Sequence, residues 1–450
     1  MEQETKGLSQ SLSFTHVYAL ATGAIFTFVA YWDTVFVSYC GPATWLAFAT
    51  MTIAVLPIAF TYCEITPFFP QAGAELIYNT VAYKNKYIGF FSAWAIMMAW
   101  IAVPPAAVMA IIEWVTNVVF DMQLSIGTIT IIGIVMLCVY CCFSLQNIEL
   151  AGNVQTIMLV GAIIGCVGSA LGLIFFSGTW SFDNMKPFFR STLGDGEFGG
   201  WCIGLALIIT PYFGFETVPQ LIEEANFPIQ YATKAIWGSV LTCGVVYTFL
   251  FFGIGGTTSW ENILFVGGDP ANGEVSFLTI TAMENLLGFW VSAVRLLYAM
   301  GNANYLPKSF AKVNKHHQPI IPNILLLVVS CVFLILQNNT TFVKDFFNLM
   351  AFGCGLTYAI TSVGAMRIKK VYPHWVSPYK LPGGAATRVL ATIVAIMVCI
   401  GTCIGQGPGS WISFGVYMGI GALLLIFQTA TAWSKGVKVK WMTPDGEMEF

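Results

Sequence analysis

The most constraining feature of this sequence is a series of long apolar stretches that together take up most of its 450 residues. A helix needs about 20 mostly apolar residues to cross the hydrocarbon core of a lipid bilayer. Twelve stretches meet that requirement, at roughly 17–39, 43–69, 87–119, 124–145, 154–176, 199–222, 232–256, 275–305, 320–337, 346–366, 388–405 and 411–433. The sequence therefore predicts an all-α integral membrane protein with twelve transmembrane helices.

The composition excludes a soluble enzyme, a disordered chain and a disulfide scaffold. Only 9% of the residues are charged, against about 25% in a soluble domain, and 57% are hydrophobic. No gap between the apolar stretches is long enough for a soluble domain, so we expect one transmembrane domain over residues 1–450. A net charge of -3 gives no indication of a nucleic-acid partner.

The placement of basic residues predicts the orientation of the helices. Lys and Arg concentrate in the cytoplasmic loops of membrane proteins. With the N-terminus inside, all but three of the 19 Lys and Arg residues lie on the inner side, and the exceptions are Lys186, Arg190 and Lys344. Residues 1–16 have neither a basic start nor a cleavage site, so no signal peptide is expected. We therefore predict a multi-pass plasma-membrane protein whose tails, 1–16 and 434–450, are both cytoplasmic.

Four motifs occur in order along nearly the whole chain. In helix 2, Tyr62, Glu64, Pro70 and Gly73 match a pattern of the type YxEL…P..GG. The other three motifs are PYFGFETVP at 211–219 in helix 6, the run 295–323 from helix 8 into the next loop, and the run 358–384 that closes helix 10. Together they resemble the amino acid–polyamine–organocation (APC) transporter superfamily.

This resemblance implies a leucine-transporter-type fold. In that fold helices 1–5 (17–176) and helices 6–10 (199–366) form an inverted repeat, and two C-terminal helices (388–433) follow. Helices 1 and 6 are broken near the middle of the membrane, and the substrate binds between the two breaks. The resemblance implies no cofactor and no enzymatic activity.

The two expected breaks differ in sequence. In helix 6, Pro211 lacks a backbone donor and Gly214 permits unusual backbone angles, so a break is predicted there. In helix 1, relatives carry a Gly-x-Gly whose bare backbone holds a substrate carboxylate. Here the corresponding stretch, 23–29, reads Gly-Ala-Ile-Phe-Thr-Phe-Val. This departure favours a substrate that has an amine and no carboxylate, or an unusual pose of the bound substrate.

The predicted membrane interior contains more acids than bases. Its acids are Asp33, Glu64, Glu113, Glu216 and Glu284, and its only base is Arg295, near the inner end of helix 8. Carboxylic acids buried without a base are candidates for binding a proton or a cationic substrate. Glu64 and Glu113 also fit a structural hydrogen-bonding role and a hydrated interfacial position, respectively.

The coupling candidates are Glu216, Glu284, Asn285 and Asp33. Glu216 follows the helix 6 break, where relatives often have an acid linked to proton movement; it also fits a role in capping the freed backbone. Glu284 and Asn285 fall where sodium-coupled members of the fold have sodium ligands, so Na⁺ at Glu284 is the one metal site considered. Helix 5 lacks the Lys that replaces sodium in some proton-coupled relatives.

Aromatic side chains complete the predicted binding site. They can line a pocket and hold an ammonium group by cation–π contact, although most aromatic residues in such a chain simply pack. The predicted substrate-binding residues are Gly23, Ala24, Ile25, Thr27, Phe28, Trp100, Pro104, Tyr212, Phe213, Gly214 and Phe289.

We therefore expect a secondary active transporter that moves a small organic amine or an amino acid by alternating access, coupled to H⁺ or Na⁺ or to exchange. A neutral or aromatic amino acid is the alternative substrate to a polyamine-like cation. A non-transporting sensor or a channel is the alternative function. Relatives with a disulfide-linked heavy subunit carry an external Cys between helices 3 and 4, and residues 119–124 contain none. No such partner is expected.

Overall fold

The computed structural model describes residues 7–26, 33–116, 120–192, 197–259, 278–336, 340–404 and 406–450. Its α-helices are α1 Phe14–Ile25, α2 Asp33–Cys40, α3 Thr44–Ile65, α4 Ala74–Tyr83, α5 Lys86–Trp114, α6 Ile126–Ser144, α7 Ile148–Phe176, α8 Glu197–Leu207, α9 Thr217–Gln220, α10 Ala232–Thr257, α11 Leu278–Asn302, α12 Ile320–Leu336, α13 Thr340–Val371, α14 Ala385–Gly401 and α15 Pro408–Thr431. Two antiparallel strands follow, β1 Lys440–Thr443 and β2 Gly446–Glu449.

The helical membrane-protein character predicted from the sequence is confirmed. Within the described residues, 8 helical stretches are long and apolar enough to cross a bilayer, and shorter apolar helices lie at Phe14–Ile25, Ile320–Leu336 and Ala385–Gly401. The number twelve remains a prediction, because residues 27–32 and 260–277 lie outside the described part of the chain.

Burial separates central from peripheral helices. The most apolar window of α5 is 83% buried inside the protein, whereas that of α6 is 22% buried and those of α7 and α15 are 28% buried. Side chains that face lipid need no protein partner, so α6, α7 and α15 belong to the periphery of the bundle. The site described below lies against the buried helix α5.

Local sequence signals explain where several helices begin. The side chain of Ser13 accepts a hydrogen bond from the His16 backbone N–H ahead of α1, and Asn85 accepts two from Tyr87 and Ile88 ahead of α5. Ser125 and Asn147 cap α6 and α7 in the same way. These residues satisfy backbone donors that have no partner in the first helical turn.

Hydrogen bonds gather the connecting segments at the two ends of the bundle. At one end, Leu12 N–H donates to the Glu224 carbonyl (2.9 Å), and the Asn304 side chain donates to the Lys438 carbonyl (2.8 Å). We call this the basic end; it comprises residues 7–13, 69–86, 221–231, 302–319, 371–384 and 434–450. At the opposite end, Thr192 N–H donates to the Ser38 carbonyl (2.9 Å). These bonds join loops within each end of the bundle, while the predicted orientation in the membrane stays a prediction.

Two elements at the basic end are absent from the sequence prediction. The ten-residue helix α4 lies between the predicted helices 2 and 3. Residues 434–450, predicted only as a tail, include the β1–β2 hairpin, whose Trp441 is buried. Gln71 donates a hydrogen bond to the Met442 carbonyl (2.7 Å), so the hairpin packs on the loop that precedes α4.

Candidate functional site

The helix is interrupted within the segment predicted as helix 6. α8 ends at Leu207, a 3₁₀ turn follows at Thr210–Tyr212, and α9 begins at Thr217. Between them Phe213 is extended and Gly214 has φ +134°, a value that favours glycine. This interruption lies at Pro211 and Gly214, the residues on which the predicted break rests, while a break of helix 6 at the middle of the membrane stays a prediction.

Glu216 occupies the backbone turn between α8 and α9. Its Oε2 accepts hydrogen bonds from Gly214 N–H (2.9 Å) and from the Tyr358 hydroxyl of α13 (2.7 Å). The side chain is fully buried, and the Trp100 side chain of α5 also interacts with it. Its other oxygen, Oε1, has no hydrogen-bond partner among the described residues. This carboxyl group therefore caps freed backbone and keeps one oxygen available.

The end of α1 packs directly against this turn. A Cβ on Gly214 would lie 2.7 Å from the Ala24 carbonyl carbon and 2.7 Å from the Ile25 nitrogen. On the other side, a Cβ on Gly288 of α11 would lie 2.7 Å from the Ala24 Cβ. The end of α1 is thus held between the turn and α11, and only glycine gives the space at both contacts.

Side chains of α10 satisfy carbonyl groups at the end of α1. The Tyr247 hydroxyl donates to the Ile25 carbonyl (2.6 Å), and Cys243 Sγ donates to the Thr22 carbonyl (3.5 Å). The Ile25 carbonyl lies in the last turn, where carbonyls have no intrahelical partner, so the bond from Tyr247 stabilises a helix end inside the protein. The Thr22 carbonyl also accepts from Phe26 N–H (2.8 Å), and Cys243 adds to that bond. α10 therefore supports the place where α1 stops.

Aromatic side chains surround the same region. The Tyr212 hydroxyl donates to the Phe48 carbonyl (2.7 Å), and its ring centroid lies 5.9 Å from that of Tyr247. The Phe26 ring lies 5.5 Å from the Tyr247 ring, while the Phe213 ring lies 5.7 Å from the Tyr358 ring. Tyr212 therefore faces α3 and α10, and Phe213 faces α13.

The structure brings only part of the predicted binding set together. Ala24, Ile25, Trp100, Tyr212, Phe213 and Gly214 meet around the helix 6 turn, and Gly23 is buried in the same end of α1. Pro104 and Phe289 are buried in α5 and α11, and within the described residues neither has a hydrogen bond or ring contact to this cluster. Thr27 and Phe28 lie outside the described residues.

The remaining coupling candidates stay predictions. Asp33 begins α2, and Glu284 and Asn285 belong to α11, but their side chains lie outside the described part of the chain. The Na⁺ site considered at Glu284 is untested for the same reason. Glu216 is the coupling candidate whose surroundings are described.

The expectation that the interior acids are unpaired is wrong for Glu64, and Arg295, the one base predicted among them, has a different partner. Arg295 binds Glu224 through two hydrogen bonds of 2.8 Å. Glu64 is paired with Arg388 at the start of α14 through two hydrogen bonds of 2.7 Å, and Lys369 Nζ lies 3.8 Å from its Oε1. Glu64 is therefore a structural acid that joins α3 to α14, not an unpaired one.

Removing the Arg388 guanidinium should lower stability without removing the transport site. In Arg388→Gln the Glu64 carboxylate, only 4% exposed, loses both charge-assisted hydrogen bonds. We expect a loss of about 2 kcal/mol in the free energy of unfolding, measured by intrinsic fluorescence in detergent micelles. The control is Lys370→Gln, which removes an exposed charge at the end of α13. Equal shifts for the two variants would contradict a stabilising pair.

A buried acid that the sequence prediction missed lies near the turn. Glu75 at the start of α4 is fully buried, and its Oε2 accepts a hydrogen bond from Gln220 Nε2 of α9 (3.2 Å). It lies outside the long apolar stretches, so a search for acids within spans does not reach it. Its only signal in the sequence is its place two residues after Gly73 of the helix 2 motif.

Comparison with known proteins gives the family. The family model described as amino acid permease matches residues 12–427. The probable threonine/serine transporter YbxG of Bacillus subtilis is 24% identical over 74% of this chain and 75% of its own. The methylthioribose transporter of Bacillus subtilis is 22% identical over 94% of both chains, and the low-affinity putrescine importer PlaP of Escherichia coli K12 is 20% identical over 59% and 60%.

The resemblance inferred from the four motifs is therefore confirmed, and so is the expectation of a transporter rather than an enzyme. The match of the family model extends from ahead of α1 into α15, across the apolar helices and the turn that holds Glu216. The chain belongs to the amino acid permease family and is a multi-pass membrane protein.

Proposed function

We propose that this protein is a secondary active transporter that moves an amino acid or a small organic amine across the cell membrane by alternating access. The two repeats are residues 17–176 and 199–366, and helices 1 and 6 are broken at the middle of the membrane. Both termini are cytoplasmic, so the basic end faces the cytoplasm. Substrate binds where the end of α1 meets the turn between α8 and α9.

One observation carries this proposal. Glu216 is fully buried at the helix interruption, with one oxygen bound to Gly214 and Tyr358 and the other without a partner in the described residues. A buried carboxylate with a free oxygen favours taking up a proton or an ammonium group. Both choices agree with coupling to H⁺ or with an amine-bearing substrate.

The predicted lack of a carboxylate cradle in helix 1 still favours an amine. Residues 23–25 carry one glycine, and the contact of Gly214 with Ala24 and Ile25 leaves no space for a carboxylate between those atoms. The relatives named above include transporters of threonine and serine and of putrescine, so amino acids remain the alternative substrate class.

Uptake into proteoliposomes tests the proposed function. Labelled putrescine, threonine and phenylalanine are offered with and without a pH gradient and with and without Na⁺. We expect saturable accumulation that depends on the pH gradient. Glu216→Gln should remove this dependence, because the amide cannot take up a proton. Glu149→Gln, an exposed acid of α7, is the control and should behave like the unmodified protein.

Two results would contradict the proposal. Flux that does not saturate and does not depend on the pH gradient or on Na⁺ would indicate a channel. If none of the offered solutes accumulates above the level in empty liposomes, a sensor would be favoured. Dependence on Na⁺ with no effect of pH would transfer the coupling from Glu216 to the Glu284 region.

A further inference from the structure

Glu75 is a second buried acid close to Glu216. It begins α4, outside the candidate membrane spans, and its side chain is fully buried. Gln220 of α9 holds it at Oε2, and the Gln220 Oε1 accepts from Gly73 N–H (3.1 Å). The other oxygen of Glu75, Oε1, has no hydrogen-bond partner among the described residues. Each of the two acids thus has one buried oxygen without a hydrogen bond of normal length, while Tyr62 interacts with Glu75 and Trp100 with Glu216.

Two tyrosines lie near the acids. Tyr358 donates to Glu216, and its ring centroid lies 6.0 Å from that of Tyr62 in α3. The charges of Glu75 and Glu216 both act on the buried Tyr62 hydroxyl, which has no hydrogen-bond partner of normal length among the described residues. Tyrosine hydroxyl groups can donate and accept at once, so they can pass a proton between carboxyl groups.

Within the part of the chain that the structure describes, no basic group acts on either acid. The titratable groups that act on Glu75 or are acted on by it are Glu216, Tyr62, Tyr78 and Cys354. The two guanidinium groups with buried acid partners are used elsewhere, Arg295 by Glu224 and Arg388 by Glu64. Two buried carboxylates without a counter-charge are costly, so at least one of the pair holds a proton.

The pKa of Glu75 lies close to neutral pH. Burial, with the neighbouring Glu216 carboxylate adding to it, raises the pKa of Glu75 to about 8. The group is therefore mostly protonated at pH 7 and loses its proton as the pH rises through about 8. A carboxyl group of that kind can both receive and release a proton near neutral pH.

We propose that Glu75 is the second proton site of the transporter, which receives the coupling proton from Glu216 through Tyr62 and passes it toward the basic end. This inference rests on the proposed proton-coupled function. In the transfer, the proton leaves the Glu216 carboxyl group, which becomes a carboxylate, and the Glu75 carboxylate becomes a carboxyl group. Tyr62 gives its hydroxyl proton to Glu75 and regains one from Glu216, so it is unchanged at the end.

Gln220 links this proton site to movement of the helix. It lies one turn after Glu216, in α9, and bonds both Glu75 and the backbone of Gly73. Alternating access moves the half-helix after the break relative to its neighbours. Such a movement of α9 changes the bond from Gln220 to Glu75, so the release of the proton follows the conformation.

Transport assays on Glu75→Gln test the inference. We expect uptake driven by a pH gradient to fall about tenfold or more, because the amide cannot accept a proton, while exchange of labelled for unlabelled solute at equal pH stays within about twofold. Glu149→Gln is the control. A Glu75→Gln protein with the pH profile of the unmodified protein would overturn the inference while leaving the proposed function intact.

A second measurement separates the two proposals. The infrared absorption of protonated carboxyl groups is followed in purified unmodified and Glu75→Gln protein as the pH is raised. We expect a component that disappears near pH 8 in the unmodified protein and is missing from Glu75→Gln. If the component behaves as expected but a pH gradient has no effect on uptake by the unmodified protein, the proposed coupling is overturned and the relay with it. If the unmodified protein lacks the component, the relay alone is overturned.

If Glu75→Gln does not fold, Tyr62→Phe takes its place, since it removes only the hydroxyl group between the acids. It should lower gradient-driven uptake and keep exchange. Unchanged gradient-driven uptake in Tyr62→Phe would overturn the route through Tyr62.

Discussion

Replacing Gly214 with alanine is expected to reduce transport by about 100-fold or more, because the new methyl group would displace the two helix ends that form the site. A Cβ there would lie 2.7 Å from the Ala24 carbonyl carbon and from the Ile25 nitrogen. Both are backbone atoms, so no change of side-chain rotamer relieves the clash. Either the end of α1 or the turn that holds Glu216 has to move.

The backbone angle of Gly214 adds to this effect. Its φ of +134° is one that residues with a Cβ rarely adopt, and such strain costs about 1–3 kcal/mol. α1 cannot easily retreat, because Tyr247 and Cys243 hold its last carbonyls and Gly288 of α11 packs against Ala24. The turn is therefore the part that yields, and the hydrogen bond from Gly214 N–H to Glu216 yields with it.

Substitutions at two further glycines separate the effect of the steric clash from that of the strained backbone angle. Gly288→Ala introduces a comparable contact with Ala24, at 2.7 Å, within a regular helix and so without the strained angle. Gly168→Ala in α7 meets nothing within 4 Å and should leave transport unchanged. Initial uptake rates per amount of folded protein in liposomes provide the measurement. Wild-type rates for Gly214→Ala would show that the two helix ends do not form the site.

The sequence predicted the parts of this site that depend on local chemistry. Pro211 removes a backbone donor, and Gly214 tolerates a positive φ, so an interruption of helix 6 follows from the residues alone. The long helices follow equally directly, since apolar length is a local property: the span predicted at 87–119 corresponds to α5, Lys86–Trp114. What encloses the turn depends on other helices and was predicted less completely.

Ion pairs between residues distant in sequence could not be predicted from local residue patterns. Glu64 and Arg388 lie 324 positions apart, and nothing in either local sequence indicates that they pair. Arg295 was named as the one base among the interior acids, yet its partner Glu224 lies just beyond the predicted span 199–222. Counting charges within spans overlooks partners that enter from loops.

Short elements outside the membrane were missed for a different reason. α4 has only ten residues and a mixed composition, so it lacks the apolar length that identifies a span. The C-terminal hairpin did carry a local signal, since Pro444-Asp445-Gly446 is typical of a turn: Pro444 and Asp445 connect the strands, and Gly446, with φ +97°, begins β2.

Arg295→Met is expected to lower the free energy of unfolding by about 3–5 kcal/mol, because it leaves a buried carboxylate without its counter-charge. Arg295 and Glu224 are both fully buried, and two hydrogen bonds of 2.8 Å join them. Arg295 also donates to Gln318 Oε1 (2.7 Å). The ion pair thus connects α11 with the segments that precede α10 and α12.

The backbone around Glu224 makes this loss larger than that of an isolated pair. Leu12 N–H donates to the Glu224 carbonyl, and Asn226 N–H donates back to the Leu12 carbonyl (2.8 Å), so the segment ahead of α1 depends on the same loop. If Glu224 moves to reach water, it moves the support of the N-terminal segment. The basic end of the bundle should then open, and protease cleavage within residues 7–13 should become faster.

A double variant distinguishes lost pairing from lost packing. Replacing both groups by apolar residues, Arg295→Met with Glu224→Leu, removes the unpaired charge, so it should recover most of the stability lost in Arg295→Met. Lys186→Gln, which breaks an exposed pair with Asp183 at the opposite end, should change neither thermal unfolding nor proteolysis. If the double variant is no more stable than Arg295→Met, the loss comes from packing of the guanidinium and its neighbours. The ion pair would then contribute specificity of assembly at the basic end and little net stability.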